Sequence, residues 1–265
     1  MIRRTSSFTL LALLVASTAF AQWESVGPGV DYREFREGTL HAHVARIDLR
    51  DDRIRLIASS ESEKGMRTSD WAEQKETIVA INADYFDENH DPVGLAFGPC
   101  GIWDGTSDTR REGVVAAGLA RVEIREQADV MNPIPEWVEQ AVSGWPLIIA
   151  DCQPFSSSRL PGSDGFTRSP HPRTAVGVSG DGRYLYFVAA DGRREGVPGL
   201  TLAELADFMY EELDVCRALN LDGGGSTTMV IGDRIMNRPS DGQERWVANH
   251  IGVVRRSDYR GCETE

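Results

Sequence analysis

The hydrophobic positions of this chain fall mostly into short runs of period two. His41 to Leu49 and Arg53 to Ala58 alternate polar and apolar residues. Thr77 to Phe86 begins apolar and ends in a polar turn. Val114 to Ile124, Leu147 to Ala150, Thr174 to Val178, Tyr184 to Ala189, Thr228 to Ile231 and Val247 to Val254 continue the pattern. Their β-branched and aromatic content predicts strands. One segment breaks the rhythm. Thr201-Leu202-Ala203-Glu204 reads as a capping box, and Leu202, Leu205, Ala206 and Met209 recur at helical spacing. This predicts a helix running to about Leu219, with a shorter one over Ser69 to Glu76. Two polar segments, Glu88 to Thr109 and Gln153 to Pro172, predict long loops of the kind that line sites. The expected fold is α+β: one mixed-sheet domain with many short strands, few helices and long active-site loops, over residues 22–265.

The first 21 residues stand apart. Arg3 and Arg4 precede the apolar run Leu10 to Val15, and Ala19-Phe20-Ala21 forms a small-x-small site before Gln22. This predicts a secretory signal peptide, too short for a membrane span. No later run reaches the roughly 20 apolar residues that a spanning helix needs. The expected location is periplasmic or secreted. Removing residues 1–21 takes away two arginines and no acid, and moves the formal charge from -13 to -15. So acidic a surface excludes general binding to nucleic acid or anionic lipid, while leaving room for a local arginine pocket. Cys100, Cys152, Cys216 and Cys262 are an even set in an exported chain, which predicts disulfides. Of three possible pairings, Cys100–Cys152 with Cys216–Cys262 is the expected one. No CxxC or Cys/His ligand spacing appears, so a zinc site is not expected.

The densest chemical signal is Asn220-Leu221-Asp222-Gly223-Gly224-Gly225-Ser226-Thr227-Thr228. A carboxylate precedes three residues without a Cβ, where backbone can approach a ligand and N–H groups can face an anion. A plain strand-to-strand turn is the alternative. Other polar blocks also follow strand-like runs: Asn82-Ala83-Asp84, Asp191-Gly192-Arg193 and His171-Pro172-Arg173. Asn237 to Arg245 adds Arg238, Asp241, Glu244 and Arg245. Each has a bland reading as an Asx turn or a surface ion pair. Asp87-x-Asn89-x-Asp91 spaces oxygen ligands as a calcium loop begins, but lacks the glycine and glutamate of an EF-hand. It leaves a divalent cation, Ca2+ or Mg2+, as a possible cofactor. His41 and His43 share a strand face that could bind a metal, but half-exposed strand positions explain them better. No HExxH, GxSxG or Walker pattern occurs.

Taken in order, Asn82-Ala83-Asp84-Tyr85-Phe86, Ser143-Gly144-Trp145-Pro146-Leu147, Arg173-Thr174-Ala175-Val176-Gly177, Asp191-Gly192-Arg193, Asn220 to Met229 and Asn237 to Asn249 resemble the phosphodiester glycosidase family. The likeness spans about residues 75–255. It implies hydrolysis of the C1–O bond of a sugar-1-phosphodiester, giving free sugar and a phosphomonoester. On the matching positions it implies Asp222, Asp191 and Glu244 as catalytic carboxylates. It implies Asn82, Arg173, Gly223, Gly224, Ser226 and Asp241 as substrate-binding residues, to which the strand-end position of Asp84 and the anion-binding potential of Arg238 in its loop add those two. With a bacterial-type signal peptide, the expected substrate is a phosphorylated glycan of the envelope or an exopolysaccharide. Two other readings stay open: a non-catalytic phosphoglycan binder, and a metal-dependent phosphodiesterase cleaving P–O through Asp84, Asp87 and Asp222.

Overall fold

In the computed structural model, residues 22–106, 113–119, 121–126 and 134–262 are described. The expected signal peptide lies outside them. Three sheets hold the chain together, and their strands pair antiparallel. The largest has eight strands, in the order Glu24–Gly27, Val30–Glu37, Leu40–Asp48, Tyr184–Ala190, Arg173–Ser179, Val215–Asn220, Leu147–Ala150 and Gln153–Pro154. A five-stranded sheet runs Arg234–Ile235, Met229–Ile231, Val79–Asn82, His250–Arg255 and Ile54–Ala58. The third joins Gly101–Ile102, Phe97–Gly98, Gln140–Gly144, Gly113–Ala117 and Val122–Arg125. Many short strands and few helices are what the hydrophobic pattern predicts.

The capped helix is Leu202–Leu213, and the Thr201 hydroxyl accepts from Glu204 N–H as expected. It buries Leu202, Leu205, Ala206, Phe208, Met209 and Leu213. Met209 packs so closely on Gly177 that a Cβ there would lie 2.6 Å from the Met209 methyl. Phe208 meets Phe35 edge-on at 5.0 Å between ring centres. One core then joins this helix to the eight-stranded sheet and to the five-stranded sheet of Val79–Asn82 and His250–Arg255, through residues such as Leu205, Leu219, Ile81 and Ile251.

The helix stops six residues short of the predicted Leu219. Asp214 turns left-handed at φ 55°, ψ 37°, and Val215–Asn220 becomes a strand. That strand fills the gap between Arg173–Ser179 and Leu147–Ala150. Completing the sheet outweighs the helical propensity of Arg217, Ala218 and Leu219. Val114 to Ile124 is likewise two strands, folded as a hairpin. The short helix is Thr68–Gln74.

The disulfides differ from the expected pairing: they are Cys100–Cys262 and Cys152–Cys216. Cys152 N–H donates to Cys216 C=O, because the end of Leu147–Ala150 runs beside the start of Val215–Asn220. Sheet neighbours, rather than sequence neighbours, choose the partners. Two disulfides fit an oxidising compartment. Among the described residues no helix is long and apolar enough to cross a membrane. Non-reducing peptide mapping should recover the Cys100–Cys262 and Cys152–Cys216 linked peptides and neither of the sequence-expected pairs.

Candidate active site

The strand ends of the two larger sheets meet at the Asp222 loop. Leu221 N–H donates to Thr174 C=O, and Asp222 N–H donates to Ala83 C=O. Asn82, fully buried, fixes this junction from behind. Its Nδ2 donates to Asp222 C=O at 2.7 Å, and its Oδ1 accepts from Thr174 Oγ1 and Thr228 N–H. All three bonds go to protein, so Asn82 sets the path of the loop. Asn82→Ala leaves three buried groups without partners and should cost about 3 kcal/mol in chemical denaturation.

The loop opens onto a cleft of about 470 Å³. Its walls include Tyr85, Phe166, His171, Arg173, Arg193, Asp222, Gly223, Gly224, Gly225 and Arg245. The glycines admit what surrounds them. Gly224 sits at φ +61°, and a Cβ there would lie 2.9 Å from Arg193 Nη2. Asp241 and Arg245 press directly on Gly225.

Asp222 is the one carboxylate on this wall. Burial pushes its pKa up to about 6, against the opposing pull of Ser226, Arg245 and the Gly223 N–H. The Ser226 hydroxyl is itself buried and makes no hydrogen bond within the usual distance.

The cations around it are short of partners. Arg173 is 2% exposed, and its Nε and Nη2 donate to three backbone carbonyls: Leu200, Phe166 and Ser169. Burial lowers its pKa to about 10, with Arg193 adding to the effect. Among the described residues neither Arg173 nor Arg193 pairs with a carboxylate. Arg193 Nη2 lies 3.3 Å from His171 Nδ1, while His171 Nε2 lies 2.7 Å from Gly165 C=O. With its proton on Nε2, His171 donates to that carbonyl and accepts from Arg193. Arg245 pairs with Asp241 at 2.5 Å. Of the three guanidinium groups Arg173 is the buried one, and a buried guanidinium attracts an anion strongly.

One side of the cleft is aromatic. Tyr85 and Phe166 line it, and Trp145 stacks behind Phe166 at 5.3 Å. Tyr85 is oriented by Asn220 Nδ2 and Trp145 C=O.

The expected site residues thus divide. Asp222, Gly223, Gly224 and Arg173 line the cleft, with Ser226 beneath it and Asp241 bonded to Arg245. Asp84 is buried elsewhere, accepting from Ser143 N–H. Arg238 is exposed, and its N–H donates to Asp191. Asp191 is buried among His41, His43 and Arg194. Desolvation raises its pKa, but His43, the Arg238 N–H and Arg194 together hold it below the ordinary carboxylate range. Glu244 accepts from Ser69 N–H and Ser69 Oγ, tying its loop to the first turn of Thr68–Gln74. The structure does not bring Asp191 or Glu244 to the cleft wall. Arg193, His171, Tyr85 and Phe166 are the residues that a search for carboxylates passes over.

The calcium-like run is a turn on its own backbone. Asp87 Oδ1 accepts from Asn89 and Asp91 N–H, and Asp91 pairs with Lys64.

The phosphodiester glycosidase family model matches residues 75–254. This chain belongs to the phosphodiester glycosidase family. It is 31% identical over 147 residues to mouse N-acetylglucosamine-1-phosphodiester alpha-N-acetylglucosaminidase, covering 53% of this chain and 28% of that protein. An SPbeta prophage-derived protein of Bacillus subtilis is 26% identical over 187 residues, covering 69% of this chain and 28% of that one. The chain therefore spans under a third of the length of these relatives. Among solved structures, the catalytic domain of the zebrafish N-acetylglucosamine-1-phosphodiester alpha-N-acetylglucosaminidase superposes with a TM-score of 0.68 at 18% identity. That match covers 89% of this chain and 87% of that one. A Synechocystis protein superposes with a TM-score of 0.72 at 17% identity, covering 91% and 65%. These superpositions establish a shared fold.

Proposed function

We propose that this chain is an exported glycosidase that hydrolyses the C1–O bond of sugar-1-phosphodiesters in envelope or exopolysaccharide material. The observation that carries this reading is the Asp222 carboxylate facing Arg173 and Arg193, which lack carboxylate partners among the described residues, in a protein of formal charge -13. A phosphodiester carries one negative charge, and Arg173, Arg193 and Arg245 offer planar donors to it. The sugar ring would lie against Tyr85 and Phe166, placing C1 towards Asp222.

Cleavage breaks the C1–O bond, and its electron pair leaves with the phosphate. The guanidinium groups stabilise that charge as it develops. Ionised Asp222 stabilises the positive charge growing on C1 and the ring oxygen. Water supplies hydroxyl to C1 and a proton to the bulk, leaving sugar and phosphomonoester. Phosphate leaves readily, which is consistent with a wall that holds one carboxylate rather than a pair.

Cleavage of P–O by a metal would need Asp84, Asp87 and Asp222 together. Among the described residues those three do not form a ligand cluster, and Asp84 and Asp87 are engaged elsewhere. Hydrolysis of a sugar-1-phosphodiester in oxygen-18 water tests the proposal. Label should enter the sugar; label in the phosphate overturns it, and binding without turnover supports the binder instead.

A further inference from the structure

Away from the cleft, two neighbouring strands bring two imidazoles and a carboxylate together. Alternation puts His41 and His43 on one face of Leu40–Asp48. Glu34, on the adjacent strand Val30–Glu37, is the register partner of His43. One ligand atom from each of the three lies within 4.8 Å of the others. The rings are tilted at 56°, with centres 4.8 Å apart.

Each imidazole is held from its far side. His41 Nδ1 lies 2.7 Å from Asp191 Oδ2, and His43 Nδ1 lies 2.7 Å from Tyr32 Oη. His41 Nε2 then faces Glu34, while His43 Nε2 lies 3.7 Å from Asp191 Oδ2, too long for a hydrogen bond. His41 Nε2 is 2.7 Å from Glu34 Oε1. His43 Nε2 has no hydrogen-bond partner, although His43 is only 2% exposed. A buried ring nitrogen left unsatisfied is costly unless something occupies the space it faces. An imidazole oriented by a carboxylate on its other nitrogen is the usual support for a metal ligand.

We propose that Glu34, His41 and His43 form a site for one borderline first-row divalent cation, with Zn2+ the best match. Two imidazoles and one carboxylate suit zinc, and hard-ion sites built from oxygen alone look different. Tetrahedral zinc at these bond lengths needs ligand atoms about 3.3 Å apart. The widest pair must therefore close by about 1.5 Å. The Glu34 side chain, one-third exposed, has the freedom to do so and opens the site to solvent. Its present ion pair with Arg36, which is 68% exposed, is weakly held. Arg194 Nη2 contacts both Asp191 Oδ2 and His41 Nδ1, and matches the charge of the supporting carboxylate.

The site would fasten the first hairpin to the Asp191 turn. That turn leads directly to Arg193, and Asp191 also holds the Arg238 N–H. Binding displaces whatever proton His41 Nε2 shares with Glu34, so affinity should fall as pH falls.

The test is titration of chelator-treated full-length mature protein with Zn2+, by calorimetry and by competition with Co2+, whose visible absorption reports tetrahedral ligation. We expect one site per chain, a rise in melting temperature on loading, and at least a tenfold loss of affinity in Glu34→Gln. His43→Asn should remove the site. Asp222→Asn should bind Zn2+ as the wild type does, which separates this proposal from the reading of the cleft. Absence of Zn2+ binding overturns it, as does binding unchanged in a folded Glu34→Gln protein.

Discussion

Replacing Asp222 by asparagine is expected to lower kcat at least ~100-fold and to raise the melting temperature at pH 8. The two effects have one cause. Burial lifts the Asp222 pKa from 3.8 to about 6. The folded state then binds this proton more tightly than the unfolded chain does. The stabilisation this gives is fully present below the unfolded value near 3.8 and is lost as pH rises through 6. Above pH 6 the fold therefore carries an ionised, desolvated carboxylate at a cost of roughly 1–3 kcal/mol. Asparagine keeps the shape and carries no charge, so the variant should gain stability above pH 6 and match the wild type near pH 4. Activity runs the other way. The ionised form opposes charge on C1, so kcat/KM of the wild type should climb with pH through about 6 and then level off. If Asp222 only shapes a turn, its replacement should leave turnover intact. A folded Asp222→Asn protein with wild-type kcat removes Asp222 from the catalytic step.

The legible part of the site was the part written in backbone. Three glycines after Asp222 read equally as a plain turn or as a place of close approach, and they line the cleft. Arg173 was legible because it opens a strand that ends beside the same loop. The carboxylates were harder. In Asp191-Gly192-Arg193 the residue that reaches the cleft is the arginine, two positions past the aspartate. In Glu244-Arg245 it is again the arginine, one position on. Arg193 turns left-handed at φ 56°, which breaks the alternation that would put it on the face of Asp191, so a correct loop yields a wrong side chain when the twist at a turn is unknown. The clue was charge: arginines recur in glycine-rich blocks of an otherwise acidic chain.

The same physics explains the missed elements. Val30–Glu37 holds Val30, Tyr32 and Phe35 as its buried residues, so the period of two fails between Tyr32 and Phe35. Its charged residues are satisfied by neighbours, as with Asp31 by Arg46 and Glu34 by His41. His41 and His43, read as half-exposed strand positions, are buried because that hairpin covers them. A strand whose partners are long-range has few local signals, and the disulfide pairing shares that difficulty.

Arg193→Ala and Arg245→Ala should each weaken binding of inorganic phosphate by ~10- to 150-fold. A hydrogen bond from a charged donor contributes about 1.5–3 kcal/mol, which sets that range. The two should differ in character. Arg193 has only His171 as a partner, so its loss removes positive charge from the cleft outright. Arg245 leaves Asp241 behind, unpaired beside Gly225, and this adds repulsion to the lost contact. Arg245→Ala should therefore be the worse of the two, and adding Asp241→Asn should recover part of its loss. Both side chains are exposed in part, so melting temperatures should move little. Asp222→Asn should bind phosphate more tightly than the wild type above pH 6, because it removes the one negative charge on the wall. Calorimetry on these proteins, with phosphate as the titrant, measures all of this without a sugar substrate. Unchanged affinity in both arginine variants would show that the cleft does not recognise the phosphoryl group, and the proposed leaving-group site would have to be abandoned.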